Sequence, residues 1–174
     1  MLIEKLLRSC PDINSIFILL REKRGQKITE RLQKFCDLSL FDLLRIKNPN
    51  FADKLIPIAG DVSEIGLGLS CDDKKLLKNV SIIFHSAASV RFDDPLKDAV
   101  LLNTRGTLEI YKFAESLKNI MAVMHVSTAY SNVHLSEINE EVHPAITDWR
   151  KTIKICEKFE KNELEVMTKH YIDF

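Results

Sequence analysis

Apolar and polar positions follow two different periods along this 174-residue chain, and each change of period marks an element. Leu2, Ile3, Leu6, Leu7 and Cys10 recur at helical spacing, with Glu4, Lys5 and Arg8 on the other face. The chain therefore opens on an amphipathic helix, which Pro11 and Asp12 end. Ser15–Leu20 (SIFILL) reads as a strand, followed by the charged turn Arg21-Glu22-Lys23-Arg24-Gly25. Lys27–Phe35 reads as an amphipathic helix and Leu38–Ile46 as a second, short one, before the Asn48-Pro49-Asn50 break. Lys54–Ala59 (KLIPIA) is a strand that runs into Gly60-Asp61-Val62-Ser63. Asp72–Asn79 is a short helix leading into the apolar run Val80–His85. Pro95 opens a long helix over Leu96–Leu117, with Leu101, Thr104, Leu108, Tyr111 and Ala114 along one face. Met121–Val126 (MAVMHV) is the next strand and ends in Ser127-Thr128-Ala129-Tyr130. Strand-like runs stop at Asn132, and two charged helices follow, over Asp148–Phe159 and Asn162–His170.

Alternation of strands with helices implies an α/β fold with a doubly wound parallel sheet. Right-handed crossovers put helices on both faces, and ligands then bind beyond the carboxyl ends of the strands. Those ends hold Arg21, Gly60-Asp61, Ser86-Ala87-Ala88 and Ser127-Thr128. The stretch Val80–Ser89 (VSIIFHSAAS) suits a buried central strand whose small following residues allow backbone or ligand to approach closely. The alternative is a core strand followed by an ordinary tight loop.

Length is that of one domain. Lys plus Arg number 25 and Asp plus Glu number 25, so net charge favours neither nucleic acid nor an anionic membrane surface as a partner. The four cysteines form no CxxC and read as reduced thiols of an intracellular protein. No apolar run approaches the roughly 18 residues of a membrane span. The first ten residues are too short and too charged for a signal peptide. The five histidines show no metal-ligand spacing, so no metal is implied; His85 and His125, on strands, read as packing and hydrogen-bonding residues.

DVSEIGLGLS, IIFHSAASVRFDDPL, NTRGTLEI and HVSTAYSN, in this order, resemble fatty acyl-CoA reductases of the insect type, within the extended short-chain dehydrogenase/reductase superfamily. The resemblance runs over essentially the whole chain. It implies a Rossmann-like cofactor domain over residues 1–174, NADPH as cofactor, and reduction of long-chain fatty acyl-CoA to fatty alcohol through an aldehyde. Under it, Arg21 matches the residue that meets the ribose 2′-phosphate, and Asp61 and Val62 flank adenine. Ala87 and Ala88 match the small residues under the ribose and pyrophosphate side, and Asn103 an asparagine that supports the site. Thr128, or Ser127 beside it, matches the hydroxyl that binds the substrate carbonyl.

Two departures accompany the match. The family's opening strand and GxTGFxG turn precede a helix like MLIEKLLRSC, and Gly66-Leu67-Gly68 is no substitute, because Cys71 stands where a third glycine is needed. The family's YxxxK pair follows a segment like the one containing Tyr171, whereas four residues after Tyr111 is Glu115 and four after Tyr130 is His134. The expectation is a fragment of such a reductase, inactive alone. Its sheet is partial and lacks the first strand, which in the family lies between the Ser15–Leu20 and Val80–His85 strands. Two other readings stay open: a non-catalytic nucleotide-binding or regulatory module, and a non-functional truncated product. The family resemblance also implies association with peroxisomal or endoplasmic-reticulum membranes.

Overall fold

The computed structural model describes residues 1–22, 25–128, 130–132, 134–145 and 147–172, with side chains as far as 168. Lys23 and Arg24 of the charged turn, Ala129 of the Ser127–Tyr130 cluster and the final Asp173 and Phe174 lie outside the described residues, as do Val133 and Ile146. The chain divides into two compact units, Met1–Asp61 with Gly68–Leu77, and Val62–Leu67 with the chain from Lys78 onward.

The first unit contains α1 (Leu2–Ser9), β1 (Ile16–Leu20), α2 (Ile28–Cys36), α3 (Asp42–Lys47), β2 (Leu55–Ala59) and α4 (Cys71–Leu76). Short 3-10 turns, Ser39–Phe41 and Phe51–Lys54, lead into α3 and β2. β1 and β2 pair in parallel, from Ile16 opposite Leu55 to Leu20 opposite Ala59. The apolar stripe of α1 supplies Leu7, and the half-buried Ile3, to a core of Cys36, Phe41, Leu44, Phe51 and Leu55. Phe41 is its centre: it has no exposed surface, its ring stacks on Phe51 at 5.3 Å, and Phe35 meets it edge-on at 5.0 Å. Such offset and edge-on contacts suit the ring quadrupoles. On α1, buried Glu4 is held by Arg8 one turn on, at 2.7 Å.

The second unit contains β3 (Ile82–His85), α5 (Leu96–Ala99), a π-helical segment Val100–Arg105, α6 (Gly106–Ser116), β4 (Ala122–His125), α7 (Trp149–Lys158) and α8 (Lys161–Ile172). β3 and β4 pair in parallel, from Ile82 opposite Ala122 to His85 opposite His125. Asp148 starts α7 by accepting the Arg150 backbone N–H at 2.9 Å. Val100, Ile153, Cys156 and Leu164 form the core, with Leu101, Leu108, Trp149 and Phe159 packed on it.

The sheet is therefore partial. It consists of two two-stranded parallel pieces, β1–β2 and β3–β4, and no pairing joins β1 to β3 among the described residues. Two expectations change. The Val80–His85 run is not a buried strand: only His85 is buried, while Ile82 and Phe84 are exposed. Alternate strand residues share a face, and among the described residues of this unit that face stays exposed. The long helix is not regular either. The π segment adds to each turn and rotates the downstream face, so Gly106, Glu109, Ile110 and Ala114 are buried while Tyr111 is exposed. His125 lies exposed, with its ring packed 5.1 Å from that of His85.

Removing the Phe41 ring leaves a void among residues that cannot all collapse. Phe41→Ala is expected to lower the urea-unfolding free energy by about 3–5 kcal/mol; a loss below about 1 kcal/mol would show that the aromatic stack is not the centre of this core.

Candidate functional site

At the carboxyl end of the first unit's strands, Arg21 follows β1 and Asp61 lies just beyond β2. The Leu20–Ala59 register and a Gly60 N–H to Leu20 carbonyl bond of 3.3 Å hold these two strand ends side by side. Arg21 Nη1 lies 3.7 Å from Asp61 Oδ2, and the arginine side chain is 64% exposed. At that exposure the pair is weak and leaves most of the guanidinium fork open. From α2, Arg31 donates to the Arg21 carbonyl and adds a second guanidinium at this strand end.

The second unit brings together the ends of β3 and β4. His85 opposite His125 sets the register, and Val126 N–H donates to the His85 carbonyl at 2.9 Å. Ala87 and Ala88 leave β3 exposed, and Ser127 and Thr128 leave β4 exposed, at the same edge. Thr128 Oγ1 accepts the Tyr130 backbone N–H at 3.2 Å. Its own proton has no acceptor among the described residues, so this hydroxyl is presented as a donor.

Asn103, on the π segment, ties down the β3 loop. Its Oδ1 accepts the Ser89 N–H at 2.8 Å and its Nδ2 donates to the Ser89 carbonyl at 3.2 Å. The hydroxyl of Thr107 donates to the Asn103 carbonyl at 2.7 Å, which leaves its oxygen to accept from His85 Nε2 at 2.9 Å. The neutral ring of His85 is thereby assigned as the Nε2–H tautomer. Burial first, and the neighbouring His125 second, push the His85 pKa below its ordinary value.

Three neighbouring residues hold the loop that follows Asp61, and sequence reasoning gave them no role. Gly106 opens α6 against Val62: a Cβ built there would lie 2.8 Å from the Val62 carbonyl oxygen. Arg105 donates to the Ser63 carbonyl and, at 3.2 Å, to Glu157 of α7. Glu109, buried, accepts the Gly66 N–H at 2.8 Å and the Lys112 ammonium at 2.7 Å. Burial alone raises that carboxyl. The bonds from Lys112 and Gly66, with the charges of Lys112 and Arg105, more than offset it and hold the group below the ordinary carboxylate value. Gly66, Leu67 and Gly68 all have φ near +60°. This left-handed turn presents its first N–H to a carboxylate, which would repel a pyrophosphate placed there. A glycine inside a helical pattern was the one available signal.

A family profile for NAD-binding proteins described as "Male sterility protein" matches residues 1–173. Fatty acyl-CoA reductase 1 of Homo sapiens is 43% identical over 157 residues, which is 90% of this chain and 30% of that protein. A putative fatty acyl-CoA reductase of Drosophila melanogaster is 36% identical over 166 residues, 94% of this chain and 32% of that protein. The chain thus spans about a third of the length of these curated relatives. Among solved structures, the terminal reductase domain of the myxalamid pathway matches with a TM-score of 0.59 at 27% identity, over 74% of this chain and 31% of that one. The reductase domain of a nonribosomal peptide synthetase from Mycobacterium tuberculosis matches at 0.56 and 31%, over 74% and 30%.

Two outcomes follow from this geometry. Alanine normally outperforms glycine in a helix by about 1 kcal/mol, yet at Gly106 a methyl group must displace backbone. Gly106→Ala is expected to destabilise the protein by roughly 1–3 kcal/mol in urea unfolding; a gain in stability would show that α6 is not seated on Val62. For His85, a lowered pKa means that the unfolded chain takes up the proton first. The resulting stability is complete above the unfolded value of about 6.5 and is lost as pH falls from there through the folded value. Urea midpoints should therefore drop across that window in the wild type and drop less in His85→Gln; equal slopes would show that the ring is not held neutral.

Proposed function

Because the chain belongs to the fatty acyl-CoA reductase family, the male sterility proteins, we propose that residues 1–174 form part of the NADPH-binding domain of an enzyme that reduces long-chain fatty acyl-CoA to the alcohol by way of the aldehyde. The observation that carries this reading is the exposed Arg21 guanidinium at the end of β1, beside Asp61 at the end of β2. A cation there pairs bidentately with a ribose 2′-phosphate, whereas an acid would favour the cofactor without it.

By the family resemblance, each unit carries residues suited to part of such a cofactor. In the first unit, Arg21 is suited to the 2′-phosphate and Asp61 to the adenine amino group; in the second, Val62 is suited to the face of the ring. Ala87 and Ala88 leave room on the ribose and pyrophosphate side, where longer side chains would exclude the ligand. Asn103 acts on the cofactor's surroundings by fixing the loop that carries those alanines. The Gly66–Gly68 turn is not the pyrophosphate cradle, since Glu109 already takes its first N–H.

When bound, NADPH supplies the hydride. The Thr128 hydroxyl, its acceptor lone pair engaged by Tyr130, donates to the substrate carbonyl and polarises it, with Ser127 beside it. To these residues we assign cofactor binding and carbonyl polarisation. Location at peroxisomal or endoplasmic-reticulum membranes belongs to the same proposal and rests on the family alone.

Calorimetric titration with NADPH and NADH tests the cofactor assignment. The protein should bind NADPH more tightly, and Arg21→Gln should remove about 2 kcal/mol of that preference, or roughly 30-fold, while leaving NADH affinity unchanged. Equal affinity for the two cofactors in the wild type would contradict it.

A further inference from the structure

Two aromatic side chains at the edge of the second unit have no role in the reading above. Phe92, in the loop after β3, and Tyr130, in the loop after β4, meet edge-to-face with ring centroids 5.3 Å apart and planes at 77°. They are 84% and 67% exposed. Val90, in the same loop as Phe92, is also exposed. Single exposed apolar residues are ordinary on a surface, but paired aromatics that bury neither ring form a prepared apolar wall. Hydrogen bonds tie both loops. Tyr130 is fixed by its backbone bond to Thr128. The Phe92 loop is braced by Ser89, whose hydroxyl donates to Asp94 and accepts the Arg91 N–H, and by Asn103 on the Ser89 backbone.

We propose that Phe92 and Tyr130 form the wall along which the alkyl chain of the acyl substrate lies. This rests on the reading of Thr128 as the donor to the substrate carbonyl. Tyr130 follows Thr128 by two residues and its backbone N–H bonds the Thr128 hydroxyl at 3.2 Å, which puts the aromatic pair next to the residue that would hold the acyl carbonyl. Charge selects the chain over the coenzyme A half. Arg91, the one cation between Ser86 and Pro95, is held by both oxygens of Asp93, at 3.1 and 2.8 Å, and by Asp94 at 3.5 Å. One arginine against two aspartates leaves the loop with a charge of −1. With Arg91 paired in this way, the loop offers no unpaired cation to the phosphates of coenzyme A, while the exposed rings suit a hydrocarbon.

Binding of hexadecanoyl-CoA and of acetyl-CoA, which has the carbonyl and the coenzyme without the chain, is measured by calorimetry on the purified protein. The variants are Phe92→Ala, Tyr130→Ala and Phe92→Leu, with NADPH affinity as the check on folding. Both alanine variants should lose about tenfold in hexadecanoyl-CoA affinity, keep acetyl-CoA and NADPH affinity, and Phe92→Leu should restore the loss. Alanine variants that bind hexadecanoyl-CoA as the wild type does would overturn the wall while leaving the carbonyl site standing. Equal loss of both acyl-CoAs would overturn it too, by placing the aromatics at the coenzyme or the carbonyl. A wild type that binds NADPH but neither acyl-CoA would overturn the wall and the acyl-CoA reading together.

Discussion

The seating of α6 on the loop after Asp61 is the constraint on which the second unit depends. Gly106 brings helix backbone so close to the Val62 carbonyl that no side chain fits between them. The residues on either side of that contact then close it. Arg105 reaches the Ser63 carbonyl, and Glu109, one helical turn on, reaches the Gly66 N–H. Glu109 is buried as a carboxylate, a cost that only its two hydrogen bonds and the nearby cations offset. The same network spends backbone donors and acceptors that a loop of this length would otherwise leave to water.

Immediately upstream, the helix gives up its regular pattern over Val100–Arg105. A π segment is rare in helices and concentrates at functional sites. Here it carries Asn103, whose amide acts as a substitute backbone partner for Ser89. The run from His85 through Thr107 and Asn103 to Ser89 ties the end of β3 to its own following loop. One helix thus fixes two loops: Asn103 sets the loop bearing Ala87 and Ala88, and Gly106 sets the loop bearing Val62. A substrate- or cofactor-binding edge built in this way owes its shape to helix backbone and short side chains, not to flexible long ones.

Strand and helix order was legible in the sequence because each element declares its own period: SIFILL and KLIPIA bounded by turns, LIEKLL with its apolar stripe. The strand-end residues followed from topology, since Arg21, Asp61, Ala87 and Thr128 each stand just past an apolar run. What stayed hidden depends on partners distant in sequence. VLLNTR has ordinary helical spacing, and only the bond from Asn103 to Ser89 explains its distortion. Glu109 reads as a solvated helix residue until Gly66 is brought to it. Ile82 and Phe84 looked interior because apolar strand composition reports what could be buried, while a two-stranded piece leaves one face uncovered.

The proposed binding of a phosphorylated nicotinamide dinucleotide is open to direct measurement. Backbone NMR of the isotope-labelled protein, titrated with NADP and then with NAD, addresses it residue by residue. The account predicts perturbed amides at Arg21, Asp61, Val62, Ala87 and Ala88 with NADP, and a clearly weaker response at Arg21 with NAD. Perturbations confined to α7 and α8, or identical responses at Arg21 to the two cofactors, would contradict it.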